Sequence, residues 1–322
     1  MDTPAATPLF VEFKDQVLFA EFSPYEWSPN LICIAFHNNI SVGRIKFQEE
    51  DDEMEEEIDF QVLHKFFHEV RPDCLAWNPE SSISTLPKHV SFCTGGADYQ
   101  LRLFESDLSN NHSIQVLEGH TYYINSIAYD MDGEYLASGS DDSSCRLWAI
   151  KDKYSCFAVM NFRTAVVSVC FHQEEPGKLM VALKKGKIIQ VNVNTQQRIM
   201  TFDCGTEPLL SADWSPSNSL CVVAVAEQEL TWWDTSKSRN PVESRMIHTT
   251  NACAVRCCPL SDTYVATFGE PDHQLKVLSL NSNVPQLIAN LQLTTNISWH
   301  HHLPYVCAGN DYQLGFWKVT TK

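Results

Sequence analysis

The sequence predicts an all-β fold: one seven-bladed β-propeller filling residues 1–322, its ring closed by the N-terminal strand. Three observations lead there. A strand end recurs at Phe22, Trp77, Tyr129, Phe171, Trp214, Cys257 and Trp299, at intervals of 55, 52, 42, 43, 43 and 42 residues. A period of about 40 to 45 residues built from short strands is the signature of four-stranded blades stacked around an axis. A second register appears near the end of each third strand, at Phe104, Trp148, Val191, Trp233, Leu278 and Trp317. Finally, segments such as LICIAF (31–36), VSFCTG (90–95), LCVVAVA (220–226) and YVCAG (305–309) alternate or run apolar, as sheets packed on both faces require, and no useful helical period competes with them.

From the N-terminus, LFVEF (9–13) precedes the first opening strand, VLFAEF (17–22). The last repeat offers only three strands, around ISWHH, YVCAG and LGFWKV, so 9–13 is expected to supply the fourth and to remove two raw sheet edges. The first interval is long because EEDDEMEEEID (49–59) separates the third and fourth strands of blade 1. Nine of the chain's net −17 charges lie there, leaving −8 elsewhere. Self-repulsion and the lack of large apolar residues predict a solvated, disordered loop. The second repeat is lengthened by PESSISTLPKH (79–89) and SDLSNNH (106–112). Loops that exceed the blade template are where a propeller acquires partners.

Six residues before the second-register positions stand Asp98, Asp142, Lys185, Glu227, Asp272 and Asp311. Asp98, Asp272 and Asp311 are therefore expected to be turn acids like Asp142, since a short carboxylate accepts backbone N–H bonds and tolerates a tight turn's dihedrals. Lys185 breaks the rule, and Gly186 is expected to make that turn. The third repeat, LEGHTYYINSIAYDMDGEYLASGSDDSSCRLW (117–148), resembles the WD-repeat family. That resemblance implies a hydrogen-bonded tetrad of His120, Ser138, Asp142 and Trp148, with complementary indole, hydroxyl, imidazole and carboxylate groups. Read as residue types alone, His, Ser and Asp also make a catalytic triad, but a triad is defined by an accessible, positioned nucleophile, and a buried staple is the expected role. The later blades are expected to lose the tetrad His.

Composition excludes several functions. MDTPAATPLF has neither the basic lead nor the apolar core of a secretory signal, no run approaches a membrane span, and VTTK is no prenylation box. Twelve cysteines sit singly along predicted strands, which suits small buried hydrophobes in a reducing compartment. Cys253, Cys257 and Cys258 lack zinc-knuckle spacing, and His300, His301 and His302 read as a loop edge, so no metal or other cofactor is expected. A charge of −17 opposes direct nucleic-acid binding, which needs a basic stripe. No nucleophile elbow, P-loop or dinucleotide glycine pattern points to an enzyme or a small-molecule substrate.

The succession FQEE (47–50), FHEVRPDCLAWNPE (67–80), FCTGGADYQLRLFESDL (92–108), VLEGHTYYIN (116–125) and SDDSSCRLW (140–148) is similar to the thirty-seven-kilodalton WD-repeat nucleoporin family of the nuclear pore's Y-shaped scaffold complex. The likeness continues through LSADW (210–214) and ISWHHHLP (297–304). It implies a non-enzymatic coat subunit at the nuclear envelope that docks onto the large arm nucleoporin, the one-hundred-and-sixty-kilodalton subunit, supports pore assembly and transport, and in animals visits kinetochores in mitosis. A barrier nucleoporin would be rich in Phe-Gly pairs, whereas this chain has one, Phe268-Gly269. The second-blade insertions, with Ser81, Ser82, Ile83 and Leu86 in the first and Asp107 and Leu108 in the second, are expected to contribute to docking. Two other occupations of such propellers compete. A receptor of a cullin-type ubiquitin ligase would carry a Trp-Asp-x-Arg box, but Trp233-Asp234 is followed by Thr235 and Ser236. A histone or phosphopeptide reader would need a pocket on the axis, and in the second case converging arginines.

Overall fold

In the computed structural model, residues 8–51, 53–109, 112–291 and 296–320 are described. Asp52 of the acidic stretch, Asn110 and Asn111 of the second-blade insertion, and the two chain ends at 1–7 and 321–322 lie outside them. Seven four-stranded antiparallel sheets follow one another around an axis. Blade 1 holds Phe19–Phe22, Leu31–Ala35, Asn39–Phe47 and Ile58–Phe67; blade 2, Pro72–Trp77, Val90–Gly96, Leu101–Ser106 and His112–Leu117. Blade 3 holds Ile124–Tyr129, Tyr135–Ser140, Ser144–Ala149 and Ser155–Asn161; blade 4, Val166–Phe171, Lys178–Leu183, Lys187–Asn192 and Arg198–Asp203. Blade 5 holds Leu209–Trp214, Cys221–Ala226, Glu229–Asp234 and Glu243–Met246; blade 6, Asn251–Cys257, Tyr264–Glu270, Gln274–Ser279 and Leu287–Asn290. In blade 7, Ile297–Trp299, Tyr305–Asn310 and Gln313–Lys318 are completed by Leu9–Glu12. The expected closure is thus present, with Leu9 opposite Phe316 and Glu12 opposite Gln313.

Burial rises and falls across each blade for a simple reason. Second strands are covered by their own sheet on both edges and by neighbouring blades on both faces, so Leu31–Ala35 and Cys221–Ala226 are buried throughout. Fourth strands lie at the rim, and His112–Leu117 is buried only at Leu117. The apolar layers between blades make the core, for example Phe22, Phe47 and Phe316 between blades 7 and 1.

Backbone polar groups bind the blades at the axis. Ser126 Oγ accepts from the Val169 amide at 3.0 Å, Ser168 Oγ from Ala212 at 3.1 Å, and Ser211 Oγ from Val255 at 3.3 Å. At the closing junction Ser298 Oγ accepts from Phe22 N at 2.9 Å. Indole donors serve two further junctions, Trp77 Nε1 to the Glu21 carbonyl (3.0 Å) and Trp299 Nε1 to the Arg256 carbonyl (3.1 Å), and the Cys74 thiol reaches the Ile124 carbonyl at 3.3 Å. Each junction of the ring therefore carries at least one polar tie, which spares an inner amide or carbonyl the cost of being buried unpaired.

The residue after each anchor shapes the turn that follows. Asp130 Oδ1 accepts the Glu134 and Tyr135 amides, and Asn78 Oδ1 accepts Glu80 N. His172 Nδ1 accepts Glu174 N and Glu175 N, while His300 Nδ1 accepts His302 N and Leu303 N. Such local acceptors are what Asn, Asp and Ser contribute to turns, and here neutral imidazoles do the same. Burial lowers the pKa of His300 to about 3, so its Nδ1 lone pair stays available.

Because the four strands alternate in direction, turns after first and third strands open on one face of the disc, and turns after second and fourth strands on the other. The second-blade insertions and the acidic stretch share the first face. The tetrad's His and Asp belong to the second.

The acidic stretch departs from expectation at both ends: Ile58 and Asp59 already belong to the fourth strand of blade 1, opposite Phe47 and Lys46. Gln48–Glu50 forms a short 3-10 turn, and Glu49 Oε1 accepts the Tyr305 hydroxyl at 2.9 Å and the Lys318 ammonium. These partners come from blade 7, and they anchor the head of a segment expected to be disordered throughout.

Candidate functional site

The four residues implied for the third blade meet in one chain of hydrogen bonds. Trp148 Nε1 donates to Ser138 Oγ at 3.0 Å, Ser138 Oγ lies 2.8 Å from His120 Nε2, and His120 Nδ1 lies 2.8 Å from Asp142 Oδ2. With the indole necessarily a donor and the carboxylate an acceptor, Ser138 donates to Nε2 and Nδ1 carries the proton. Asp142 also accepts Ser144 N (2.9 Å), Ser144 Oγ (2.6 Å) and Thr121 N (3.1 Å). Burial alone would raise its pKa, but the bonds from Ser144, His120 and Thr121 outweigh that and hold it at about 2. Burial lowers the His120 pKa against the pull of Asp142, so the ring is neutral at neutral pH. Ser138 has 0 % exposure, and both its donor and an acceptor site are spent inside the blade. A substrate carbonyl has no path to it, so the group lacks the accessible nucleophile that a triad needs.

The expectation that later blades lose the tetrad His needs correction. In blade 6, His248 Nδ1 lies 3.1 Å from Asp272 Oδ2 and Nε2 lies 3.1 Å from Thr267 Oγ1. Leu278 stands where the indole would be, and the Thr267 hydroxyl turns instead to the Lys276 carbonyl at 3.5 Å. His248 precedes its acid by 24 residues and His120 by 22, a two-residue slip that hides the match in the sequence. Blade 2 holds a further variant. His68 Nε2 lies 2.9 Å from Thr94 Oγ1, and Asp98 is taken instead by the Arg102 guanidinium at 2.9 and 2.6 Å.

The turn acids do two different jobs. After Asp98, Asp142 and Asp272 the next residue takes the left-handed conformation (Tyr99 φ 69°, Ser143 φ 67°, His273 φ 51°) while the carboxylate caps the turn. In blades 5 and 7 the acid itself is left-handed, at Glu227 (φ 49°) and Asp311 (φ 60°), and Asp311 Oδ1 accepts from Gln16 Nε2. Gly186, at φ 72°, makes the blade 4 turn.

Of the proposed docking residues, Ser81 is corrected: it is fully buried, its Oγ donating to the Ser91 carbonyl at 2.7 Å and accepting from the Ser91 amide at 3.0 Å. It staples the insertion to blade 2 and offers nothing to a partner. Ile83 and Leu108 are half-buried against the core between blades 1 and 2. Ser82 is held to His89 by a two-residue bridge, which leaves Leu86, 88 % exposed, at the tip. Asp107 is exposed, its carboxylate capping Ser109 N. Trp27, stacked on Tyr25 and donating to the Pro79 carbonyl, lies at the base of the same loop. No pattern in the sequence signals this last contact.

An axial channel of about 430 Å³ runs between the inner strands. Glu21, Asp213 and Arg256 face it. Burial lifts Glu21 to about 7, against the opposing pull of Arg256 and of Asn296, whose Nδ2 donates to it at 2.7 Å. Burial also raises the Asp213 pKa, although its Oδ2 accepts the Cys257 amide at 2.7 Å across the blade 5–6 junction.

Residues 111–149 match the WD domain, G-beta repeat, the stretch that holds the complete tetrad. Across the whole ring, the chain is 37 % identical over 313 residues to human nucleoporin Nup37, covering 95 % of both proteins. It belongs to the Nup37 family of nucleoporins. Mouse Nup37 shows the same identity and coverage, and Drosophila Nup37 is 32 % identical over 314 residues, 97 % of each chain. The likeness of these Nup37 proteins spans all seven blades, degenerate ones included. As a nucleoporin the chain has its place and its partners in the nuclear pore complex.

Proposed function

We propose that this nucleoporin is a non-enzymatic scaffold subunit of the Y-shaped complex, docking onto the large arm nucleoporin, the one-hundred-and-sixty-kilodalton subunit, and so supporting pore assembly and transport. The observation that carries the reading is full-length similarity to Nup37, from the closing strand to the last blade. The geometry supports it. The titratable cluster most like a catalytic centre is sealed inside blade 3, and what the ring offers outward is rigid faces and loops. Docking is assigned to the face that bears the second-blade insertions, with Leu86 of the first insertion as its apolar anchor and Asp107 of the second on the same face. The His120–Ser138–Asp142–Trp148 group and the turn acids Asp98, Asp272 and Asp311 serve as staples that keep the blades in shape from the opposite face.

The test is direct mixing of purified chain and purified arm nucleoporin, followed by sedimentation velocity. A complex is expected, weakened about ten-fold or more by Leu86→Asp, as for an anchor at the centre of an interface. Absence of a complex at micromolar concentration, with both proteins folded, refutes the docking proposal.

A further inference from the structure

Charge is distributed unevenly around the ring. Across 162–204, which is blade 4 with its leading loop, six basic residues face three acidic ones, a net +3 that leaves −20 for the rest of a −17 chain. From Pro176 to Phe202 there is no Asp or Glu, but there are Lys178, Lys184, Lys185, Lys187 and Arg198. Every other blade is net negative.

The fold gathers four of the six, Arg163, Lys184, Lys185 and Lys187, on the face opposite the second-blade insertions, while Lys178 and Arg198 open the second and fourth strands at the other end of the blade. Lys184 and Lys185 sit on the turn between the second and third strands of blade 4. The Lys184 amide donates to the Ala165 carbonyl (3.0 Å), its carbonyl accepts from Leu209 N (2.9 Å), and Cys204 N donates to the Gly186 carbonyl (2.8 Å). The turn is therefore clamped between the loops that enter blades 4 and 5. Gly186 makes the clamp tight: a Cβ there would stand 2.6 Å from the Thr206 carbonyl oxygen. Lys184 and Lys185 line a surface hollow with Thr164, Glu207 and Pro208, and Arg163 and Lys187 flank it. All four cations are exposed, and among the described residues none forms an ion pair. Two carboxylates are near, Glu207 in the hollow and Asp203 across the strand pair from Lys187.

We propose that this basic face of blade 4 is a second docking surface, which takes a short acidic extended segment of another protein. Unpaired cations held on a rigid frame suit carboxylates, and the Thr164 hydroxyl adds a donor. The surrounding charge sets the ligand's size. A screening length of about 8 Å at physiological salt leaves the basic face distinct from its acidic neighbours, but a nucleic-acid duplex laid across it would run onto them and forfeit the counterion release that drives such binding. At about 3.4 Å per residue, a blade end about 15 Å wide accommodates a segment of about five residues.

The test uses the full chain and a fluorescein-labelled peptide of about eight alternating Glu and Asp residues, long enough to overhang the blade end, read by anisotropy. Binding is expected to weaken at least ten-fold in Lys184→Glu/Lys185→Glu and to follow the same order, less steeply, in Lys184→Gln/Lys185→Gln. Arg239→Glu, an exposed cation on the far face of blade 5, should leave it unchanged. Equal melting temperatures show that the variants are folded, as their exposure leads one to expect. The proposal is overturned if a labelled peptide of the same length made of Gln alone binds equally, if the double variants bind like the parent, or if duplex DNA displaces the acidic peptide at lower concentration than unlabelled acidic peptide does. Concentration-dependent self-association that disappears on deleting 51–57 would also overturn it, by assigning the face to the acidic stretch of a second copy.

Discussion

Replacing Asp142 by Ala probes the staple assignment most sharply. The carboxylate accepts four hydrogen bonds, from the Ser144 amide and hydroxyl, His120 Nδ1 and the Thr121 amide. Of these, the bond from the Thr121 amide lies at the surface, where water can replace the lost acceptor. His120 cannot be rescued in that way, because its side chain is 1 % exposed and the remaining neighbour of its Nδ1 is Ser144 Oγ at 3.4 Å. Leaving one buried donor unpaired costs about 1–3 kcal/mol, and losing charge-assisted bonds adds to this, so ~3 kcal/mol is expected. With an unfolding entropy of about 2.1 cal/mol/K per residue, a ring of this length converts that into a fall in Tm of about 4–5 °C. Calorimetry of the variant beside Asp132→Ala, an exposed acid on a neighbouring loop, makes the comparison. If both variants melt within about 1 °C of the parent, a margin that ordinary surface changes also reach, the group is no staple and its tight geometry stabilises nothing.

Three further outcomes follow from the axis and the closure. Ser298→Ala removes the acceptor of the Phe22 amide at the closing junction and should cost about 1–2 kcal/mol by urea unfolding, whereas exposed Ser84→Ala should be neutral; equal effects would contradict the tie. Glu21, raised to about 7 from an ordinary 4.5, binds its proton more tightly folded than unfolded, so its favourable contribution is full below about pH 4.5 and lost as pH rises through 7. Glu21→Gln keeps an acceptor for Asn296 and should raise Tm more at pH 8 than at pH 5, and an equal change at both would refute the buried carboxylate. Deleting 1–13 uncovers the Gln313–Lys318 edge and is expected to produce aggregation on gel filtration; a monomer melting like the full chain would rule out strand closure.

What could be read from the sequence is what repeats. The anchors from Phe22 to Trp299 recur because every blade needs an apolar group at the end of its inner strand, and the closing strand follows from counting only three strands in the last repeat. The third-blade residues could be named because their spacing is the family's usual one. His248 escaped because a two-residue longer interval preserves the same contacts. The serines at 126, 168 and 211, each three residues before an anchor, and the turn acceptors that follow the anchors were periodic too, but small polar residues look like ordinary surface until their partner amides are known. Side-chain contacts between distant parts, unlike the strand closure, left no trace. Nothing near Glu49 announces Lys318, and nothing near Ser81 tells that its hydroxyl is turned inward on Ser91 while Leu86 projects from the same loop.

The central claim is that a closed propeller serves the nuclear pore as a surface gripped by its scaffold, and isolation of the endogenously tagged protein from interphase cells with quantitative mass spectrometry tests it most directly. The expected result is recovery of the large arm nucleoporin and its Y-complex companions in near-equal amount, at wild-type level for Lys184→Glu/Lys185→Glu and reduced for Leu86→Asp. Recovery of cullin and adaptor subunits in stoichiometric amount, with scaffold nucleoporins absent, would contradict it.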